Sequence, residues 1–515
     1  MRYLLGIDLG TSGAKTALFD EAGDTVAACT QEYPLLQPKN GWAEQAPGDW
    51  WQAVVKGIRE VLASGKANGQ DIAGIGLSGQ MHGLVMLDGK GRVIRPAILW
   101  CDGRTEKQCK MITQAVGAER LIQLTGNPAL AGFTAGKILW VRENEPEHYA
   151  RCRQVLLPKD YIRFCLTGKY ATDVTDASGT NLMDVRRREW SGEVLRALDL
   201  DEALLPPIYE SCQIAGCVTQ EAAEATGLIE GTPVVAGAGD NACAAVGTGV
   251  VTPERAFTTI GTSGVVYAHS RDFHVDAEGR IHTFCAPVPG EYAVMSCTLA
   301  AGLSLRWFKD TLCGEEAKDA ARQKTNVYKI LDQQAQAVPA GARELLFLPY
   351  LMGERSPLLN EKSRGVFFGL SAIHTKKDML RSVMEGVVYS QRACFEIMVD
   401  MGVIPDKMIV CGGGGSSAVW RQMLADNYGR PIWQVDGQEG PAKGAALLAG
   451  TGAQIYRSVP DACKQTVHDH LKATPNISES KKYEKYYMLY RSLYPALKSS
   501  FDSLAKLRER AAEKL

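Results

Sequence analysis

Apolar and polar positions change period several times along the chain. Tyr3 to Leu9 reads as a strand, Lys15 to Phe19 as a second and Thr25 to Ala28 as a third. The turns between them are Gly10 to Gly13 and Glu21-Ala22-Gly23-Asp24, so a β-meander is predicted rather than a strand feeding a helix. The period then lengthens. Trp50, Trp51, Val54, Val55, Ile58, Val61 and Leu62 recur at helical spacing behind Asp49, which predicts an amphipathic helix with Asp49 as its cap and the tryptophans in the core. Ile72 to Leu77 and Leu84 to Leu87 return to strand character, the latter closed by Asp88-Gly89, and the mixture indicates an α/β protein. Pro233 to Ala236 forms an apolar run that ends in the polar loop Gly237-Ala238-Gly239-Asp240-Asn241. Reactive groups often sit at such strand ends. Near the C-terminus, Tyr483, Tyr486, Tyr487, Tyr490, Leu493, Tyr494 and Leu497 mark an amphipathic helix expected to dock onto the second domain.

One turn occurs twice. Gly10-Thr11-Ser12-Gly13 recurs as Gly261-Thr262-Ser263-Gly264, each time between β-like runs. Two related domains are therefore expected, residues 1–250 and 251–515, with the boundary near Gly249 to Pro253. Length agrees, because single cores stop growing at roughly 250–300 residues.

Composition narrows the function. Hydrophobic residues at 45% and charged residues at 22% describe a packed soluble protein. Lys and Arg number 57 against 58 Asp and Glu, which leaves no basic excess for nucleic acid. The 14 cysteines form no double CxxC set at zinc-binding spacing, as expected of reduced thiols in the cytoplasm. The apolar stretch Leu4 to Ile7 is too short for a signal peptide or membrane span.

Three glycine-rich stretches carry the candidate chemistry. Asp8, the small residues Gly10 to Gly13 and Lys15 suit phosphate and a hard cation: glycines let backbone N–H groups approach, hydroxyls donate, and a carboxylate can hold Mg²⁺. An ordinary tight hairpin would read the same way. Thr259 to Gly264 repeats the turn without the acid, and two such hairpins could clamp a triphosphate. Cys411 to Ser417 lies between strand-like Met408 to Val410 and helix-like Trp420 to Leu424. It could accept a flat base or be a flexible turn. Gly74 to Gly79 matches GxGxxG, but Gln80-Met81-His82-Gly83 is no helix start, and the chain has no Gly-Lys-Ser/Thr triplet. A dinucleotide site and a P-loop are both set aside.

Taken in order, Asp8 to Lys15, Gly261 to Gly264 and Gly412 to Ser417 resemble the two phosphate motifs and the adenosine motif of the actin, Hsp70 and sugar-kinase superfamily. Gly132 to Trp140, and Gly365 to Leu370 running on to Glu385, are similar to the signatures of the FGGY carbohydrate kinases. Gln80 to Gly83, Trp100 to Arg104, Leu157 to Tyr161 and Asp176 to Thr180 look like the xylulokinase branch, although Cys101 stands where that branch usually carries Asn. The resemblance implies an α/β fold of two duplicated actin-like, ribonuclease H-like domains flanking a nucleotide and sugar cleft, with ATP and Mg²⁺ as cofactors and a homodimer as the possible assembly. It also implies roles: Asp240 as the catalytic base and Asp8 serving metal and phosphates; Met81, His82, Asp240 and Asn241 against the sugar; Thr11, Ser12, Lys15, Gly261, Thr262, Gly302, Gly413 and Gly414 at the nucleotide. The implied reaction is transfer of the γ-phosphate to the 5-hydroxyl of D-xylulose. Ribulose, another ketose, or a polyol such as glycerol or erythritol are alternative acceptors, and an actin- or Hsp70-like nucleotide switch is the alternative outside enzymes of sugar metabolism.

Overall fold

A computed structural model describes residues 2–437 and 440–512. The chain divides into two compact units: the first holds residues 1–252, 269–293 and 436–468, the second residues 253–268, 294–435 and 469–515. Residues 269–293 and 436–468, which the sequence reading assigns to the second domain, belong to the first unit, so the units interleave along the chain.

The first unit is built on β1 (Tyr3–Leu9), β2 (Gly13–Phe19), β3 (Thr25–Glu32), β4 (Ile72–Gly79), β5 (Ile214–Cys217), β6 (Pro233–Val235) and β7 (Ala238–Gly239). The strand order is β5-β6-β4-β1-β2-β3, with β7 also paired to β4. Neighbours β6, β4 and β1 are parallel, whereas β5–β6, β1–β2 and β2–β3 are antiparallel. Helix α1 (Pro47–Ala63) covers one face and buries Trp50, Val54 and Ile58 completely, while Trp51 is only partly buried. Its start differs from expectation: Pro47 occupies the first turn after Ala46, and Asp49 lies inside the helix without capping it. Proline's fixed φ and missing N–H suit it to that first turn, so the helix begins three residues early. The Gly440–Gly452 helix packs on β1 and β4, its Ala442, Ala445, Leu447 and Leu448 joining Leu4 and Phe19 in a buried cluster. A Cβ at Gly76 would lie 1.8 Å from the Ala445 carbonyl oxygen. The GxGxxG match thus reflects close helix-on-strand packing.

The second unit contains β8 (Arg255–Ile260), β9 (Gly264–Ser270), β10 (Tyr292–Thr298), β11 (Lys407–Cys411), β12 (Ile432–Val435) and β13 (Asp469–Ala473). They run in the order β13-β12-β11-β8-β9-β10. Pairing is antiparallel for β13–β12, parallel for β12–β11 and β11–β8, and antiparallel for β8–β9. The order β4-β1-β2-β3 recurs as β11-β8-β9-β10, flanked in each sheet by a parallel strand (β6, β12) and then an antiparallel edge strand (β5, β13), although β5 precedes β6 in the chain and β13 follows β12. The recurring Gly-Thr-Ser-Gly turn thus marks a duplication of this shared core. The C-terminal helix Ile477–Ala512 buries Tyr483, Tyr487, Tyr490 and Leu493 against Leu346, Leu348 and Tyr389 of the same unit, as its periodicity predicts.

Candidate active site

Within the first unit, the parallel strands β1, β4 and β7 end side by side, at Leu9, Gly79 and Gly239. Asp8 is the penultimate residue of β1. It lies opposite Lys15 in the β1–β2 register and beside Ser78 in the β1–β4 register, and Ser78 Oγ donates to its Oδ1 at 2.8 Å. Directly opposed residues share a face, so Asp8 and Lys15 set opposite charges side by side. The next turn, carrying Thr11 and Ser12, is fastened from outside. Gln45 Nε2 donates to the Thr11 carbonyl at 2.7 Å, Trp100 Nε1 donates to Thr11 Oγ1 at 3.0 Å, and Thr11 Oγ1 donates to Gln80 Oε1 at 3.3 Å. Gln45 and Gln80 are buried and bonded to each other at 3.0 Å. Ser12 is exposed at the tip. Gln45 and Tyr33, whose hydroxyl donates to the Gly10 carbonyl, escaped the sequence reading because isolated polar residues in a loop and a strand carry no periodic signal.

Asp240 opens helix α4 (Asp240–Gly247) directly after β7. Its Oδ1 accepts both donors of Asn241, the backbone N–H at 2.7 Å and Nδ2 at 2.9 Å. Burial first, and the charge of Asp8 second, push the Asp240 carboxyl up to about 7, against the pull of the Asn241 hydrogen bonds. The residue as a whole is partly exposed; what the shift reports is the shielding of the carboxyl itself. A carboxyl raised by burial and by a neighbouring acid is suited to acid–base work.

Met81 and His82 follow β4. Met81 lies against Gly239, where a Cβ would come 2.7 Å from Met81 Cγ. His82 has φ 67°, a left-handed conformation uncommon outside glycine, and several groups hold it there. Its Nδ1 is 2.7 Å from the Gly179 carbonyl, its ring stacks on Phe133 at 4.2 Å, and its own carbonyl accepts from Lys137 Nζ at 2.7 Å and Thr134 Oγ1 at 3.1 Å. Lys137 is fully buried and also donates to the Gly132 carbonyl at 2.6 Å. Burial pushes its ammonium down to about 7. Thus the Gly132-to-Trp140 stretch, helical from Thr134, shapes the loop that presents His82. Beside it, Asp102 accepts from Arg104 and from the Ala43 N–H, while Cys101 is exposed.

The second unit brings together the other predicted positions. Gly261 and Thr262 form the β8–β9 turn, and Gly302 opens helix α5 (Gly302–Leu312) against it, its N–H donating to the Gly261 carbonyl at 2.7 Å. A Cβ on Gly302 would lie 2.4 Å from that oxygen. Gly413 and Gly414 sit in a tight turn between β11 and helix α6 (Ala418–Tyr428). Gly414 packs on Ile260 and Trp420, whereas Gly413 has nothing within 4 Å of a would-be Cβ. Together these residues line a cavity of about 610 Å³, large enough for a nucleotide-sized ligand. Its other wall, with Asn326, Tyr328, Lys329 and Asp332, was not foreseen; these residues lie in an ordinary amphipathic helix. Burial raises the Asp332 carboxyl, opposed by Ser417 and Arg421. Among the described residues, no cluster of three or more His, Cys, Asp or Glu could hold a metal ion, and no helix is long and apolar enough to cross a membrane.

Residues 3–247 match the model of the FGGY family of carbohydrate kinases, N-terminal domain, and residues 256–453 match the C-terminal domain. The chain is 37% identical to the xylulose kinase of Bacillus subtilis, covering 99% of this chain and 100% of that one, and 39% identical to that of Escherichia coli, covering 96% and 99%. Among solved structures, a Brucella ovis protein titled as a xyloylose kinase superposes with a TM-score of 0.88 at 34% identity, covering 97% of this chain and 100% of the other. A gluconate kinase from Lactobacillus acidophilus gives 0.90 at 27% identity, covering 98% and 99%. With paired acids at the ends of parallel strands, a glycine-walled cavity and both family domains matched, the chain belongs to the FGGY family of carbohydrate kinases and is an ATP-dependent sugar kinase.

Proposed function

We propose that this enzyme transfers the γ-phosphate of ATP to the 5-hydroxyl of D-xylulose in the cytoplasm, with Asp240 as general base. The observation that carries the reading is the geometry of Asp240: both Asn241 donors bind Oδ1, which leaves Oδ2 to accept a hydroxyl proton. A carboxyl raised to about 7 titrates close to working pH, where a general base is most effective. Such a base must come within about 2.6–3.2 Å of the attacking oxygen. Met81 and His82 shape the sugar side beside it. Thr11, Ser12 and Lys15 serve the phosphates, and Gly261, Thr262, Gly302, Gly413 and Gly414 serve the nucleotide.

Asp8 fits a cation, because its carboxylate shares a face with Lys15 yet still burdens Asp240 with its charge. Mg²⁺ held there would supply charge neutralisation for the phosphates. Asp8 then has a second task, to keep negative charge beside the base, while Ser78 fixes its orientation.

The choice of D-xylulose rests on relatives named xylulose kinase along nearly the whole chain; the gluconate kinase likeness is the reason to include other acceptors in the test. ADP release by the purified protein is to be measured with D-xylulose, ribulose, gluconate, glycerol and erythritol. D-xylulose is expected to give the highest kcat/KM, by at least about tenfold. A higher value with another acceptor replaces the substrate, and turnover indifferent to every sugar removes the kinase reading.

A further inference from the structure

Two motifs, Leu157 to Tyr161 and Asp176 to Thr180, contribute to the groups above only the Gly179 carbonyl that meets His82. Their charged residues meet beneath the Asp240 loop. Lys159, Asp160, Arg163, Asp173 and Asp176 are all fully buried, at 0% exposure. Lys159 Nζ reaches Asp160 at 2.6 Å, Asp173 at 2.8 Å and Asp176 at 3.1 Å, and Arg163 reaches Asp160 at 2.9 Å. Burial alone would lower the Lys159 pKa, but the three acids around it, Asp160 first, outweigh it and hold the ammonium charged. Burial pushes the Asp176 carboxyl up to about 8, so Asp160 and Asp173 carry the negative charge of the cluster at neutral pH. Replacing such a buried cluster by apolar side chains often costs a protein nothing in stability. A role beyond stability is therefore the question to ask of it.

The cluster grips the chain on both sides of Gly237. Arg163 Nη1 donates to the Ala236 carbonyl at 2.7 Å. Asp173 Oδ2 accepts from Thr175 Oγ1 at 2.6 Å and from Ser211 Oγ at 2.9 Å, and Thr175 Oγ1 in turn accepts the Gly239 N–H at 3.0 Å. Gly239 is the residue immediately before Asp240. Between the two grips, Gly237 takes φ 75°, and a Cβ there would lie 2.2 Å from the Leu77 carbonyl oxygen. The Ala236 and Gly237 N–H groups also donate to the Gln213 and Ser211 carbonyls at 2.8 and 3.0 Å, and Ala238 and Gly239 pair with β4. The segment is thus restrained from several sides, and the two side-chain grips set its final position beside Asp240.

We propose that Thr175 and Arg163 are positioning residues, through which the buried charge cluster clamps the Ala236-to-Gly239 loop and aims Asp240 at its proton. The proposal rests on the reading of Asp240 as the base. A misplacement of about 1 Å can cost about 100-fold in rate, so a two-hydrogen-bond clamp one residue from the base acts on kcat with little effect on nucleotide affinity.

The test is Thr175→Val, which keeps the shape and removes the acceptor, compared with Thr175→Ser, Asp240→Asn and the Thr175→Val/Asp240→Asn double variant in the full-length enzyme. Expected are a tenfold or greater fall in kcat for Thr175→Val with ADP affinity unchanged by calorimetry, at least a third of wild-type kcat in Thr175→Ser, and no further loss from Thr175→Val in the Asp240→Asn background. Wild-type kcat in Thr175→Val beside an inactive Asp240→Asn overturns the clamp and leaves the base standing. Full turnover in Asp240→Asn overturns the base, and the clamp's purpose with it. Additive losses in the double variant make Thr175 merely structural. Should Thr175→Val not fold, Ser211→Ala, which withdraws a donor from the same Asp173 oxygen, takes its place. A threefold or greater loss of kcat absent from the Asp240→Asn background is then expected, and wild-type kcat refutes the clamp.

Discussion

Replacing Asp240 by Asn removes a charge that the native state holds at a cost. The carboxyl is raised from 3.8 to about 7, so keeping it ionised at pH 8.5 costs the folded protein about 4 kcal/mol, at about 1.4 kcal/mol per pH unit. The sign follows from linkage: between about pH 4 and 7 the native state binds this proton more tightly than the unfolded chain, so the wild type loses stability as pH rises through that window. Asparagine lacks the charge but keeps part of the desolvation, which brings the expected gain at pH 8.5 to about 2 kcal/mol, or a few degrees in Tm. The assay is thermal unfolding of both proteins without nucleotide and with chelator, at pH 8.5 and pH 5, alongside turnover at saturating substrates. Asp240→Asn should melt higher at pH 8.5, lose most of that advantage at pH 5, and turn over about 10²–10⁴-fold more slowly. An advantage equal at both pH values, or none at pH 8.5, refutes the argument that burial and Asp8 strain this carboxyl.

Other perturbations separate the remaining parts of the site. Asp8→Asn removes the second cause of the Asp240 shift, so the acidic limb of kcat/KM should move from about 7 to lower pH even as turnover falls; an unmoved limb means the two acids do not interact. Gly302→Ala pushes a Cβ to 2.4 Å from the Gly261 carbonyl oxygen, and overpacking of about 1–3 kcal/mol should weaken ADP binding about tenfold or more by calorimetry while sugar affinity stays. Lys137→Met takes the donor from the Gly132 carbonyl and leaves the His82 carbonyl only Thr134 Oγ1, at about 1–3 kcal/mol for the buried group left unpaired. The KM for sugar should rise about tenfold and ADP affinity should hold.

Much of this architecture was legible because it is written in periodicity and turns. The opening meander, the apolar strand from Pro233, the duplicated Gly-Thr-Ser-Gly turn and the tyrosine-striped C-terminal helix each follow from local pattern, and each is present, whereas the loop read over Gly237 to Asn241 holds a short strand at Ala238–Gly239 and a helix start at Asp240. Asp49 was misplaced because its capping propensity was weighed without Pro47, which starts α1 earlier. What the pattern could not disclose depends on distant partners. Gln45 and Trp100 converge on Thr11 from 34 and 89 residues away, and Thr175 reaches Gly239 across 64. The return of the Gly440–Gly452 helix to the first unit is likewise invisible to a linear reading, since its alanine-rich face would suit either sheet. The candidate residues were nameable through resemblance. Their electrostatics were not, because the raised carboxyl of Asp240 and the lowered ammonium of Lys137 come from burial.

The most direct measurement is ADP release by purified wild-type and Asp240→Asn protein, with ATP and Mg²⁺, in the presence and absence of D-xylulose. The account predicts sugar-dependent release from the wild type, its collapse in the folded variant, and ADP binding that survives the substitution. Release that ignores the sugar, or a variant that turns over like the wild type, contradicts it.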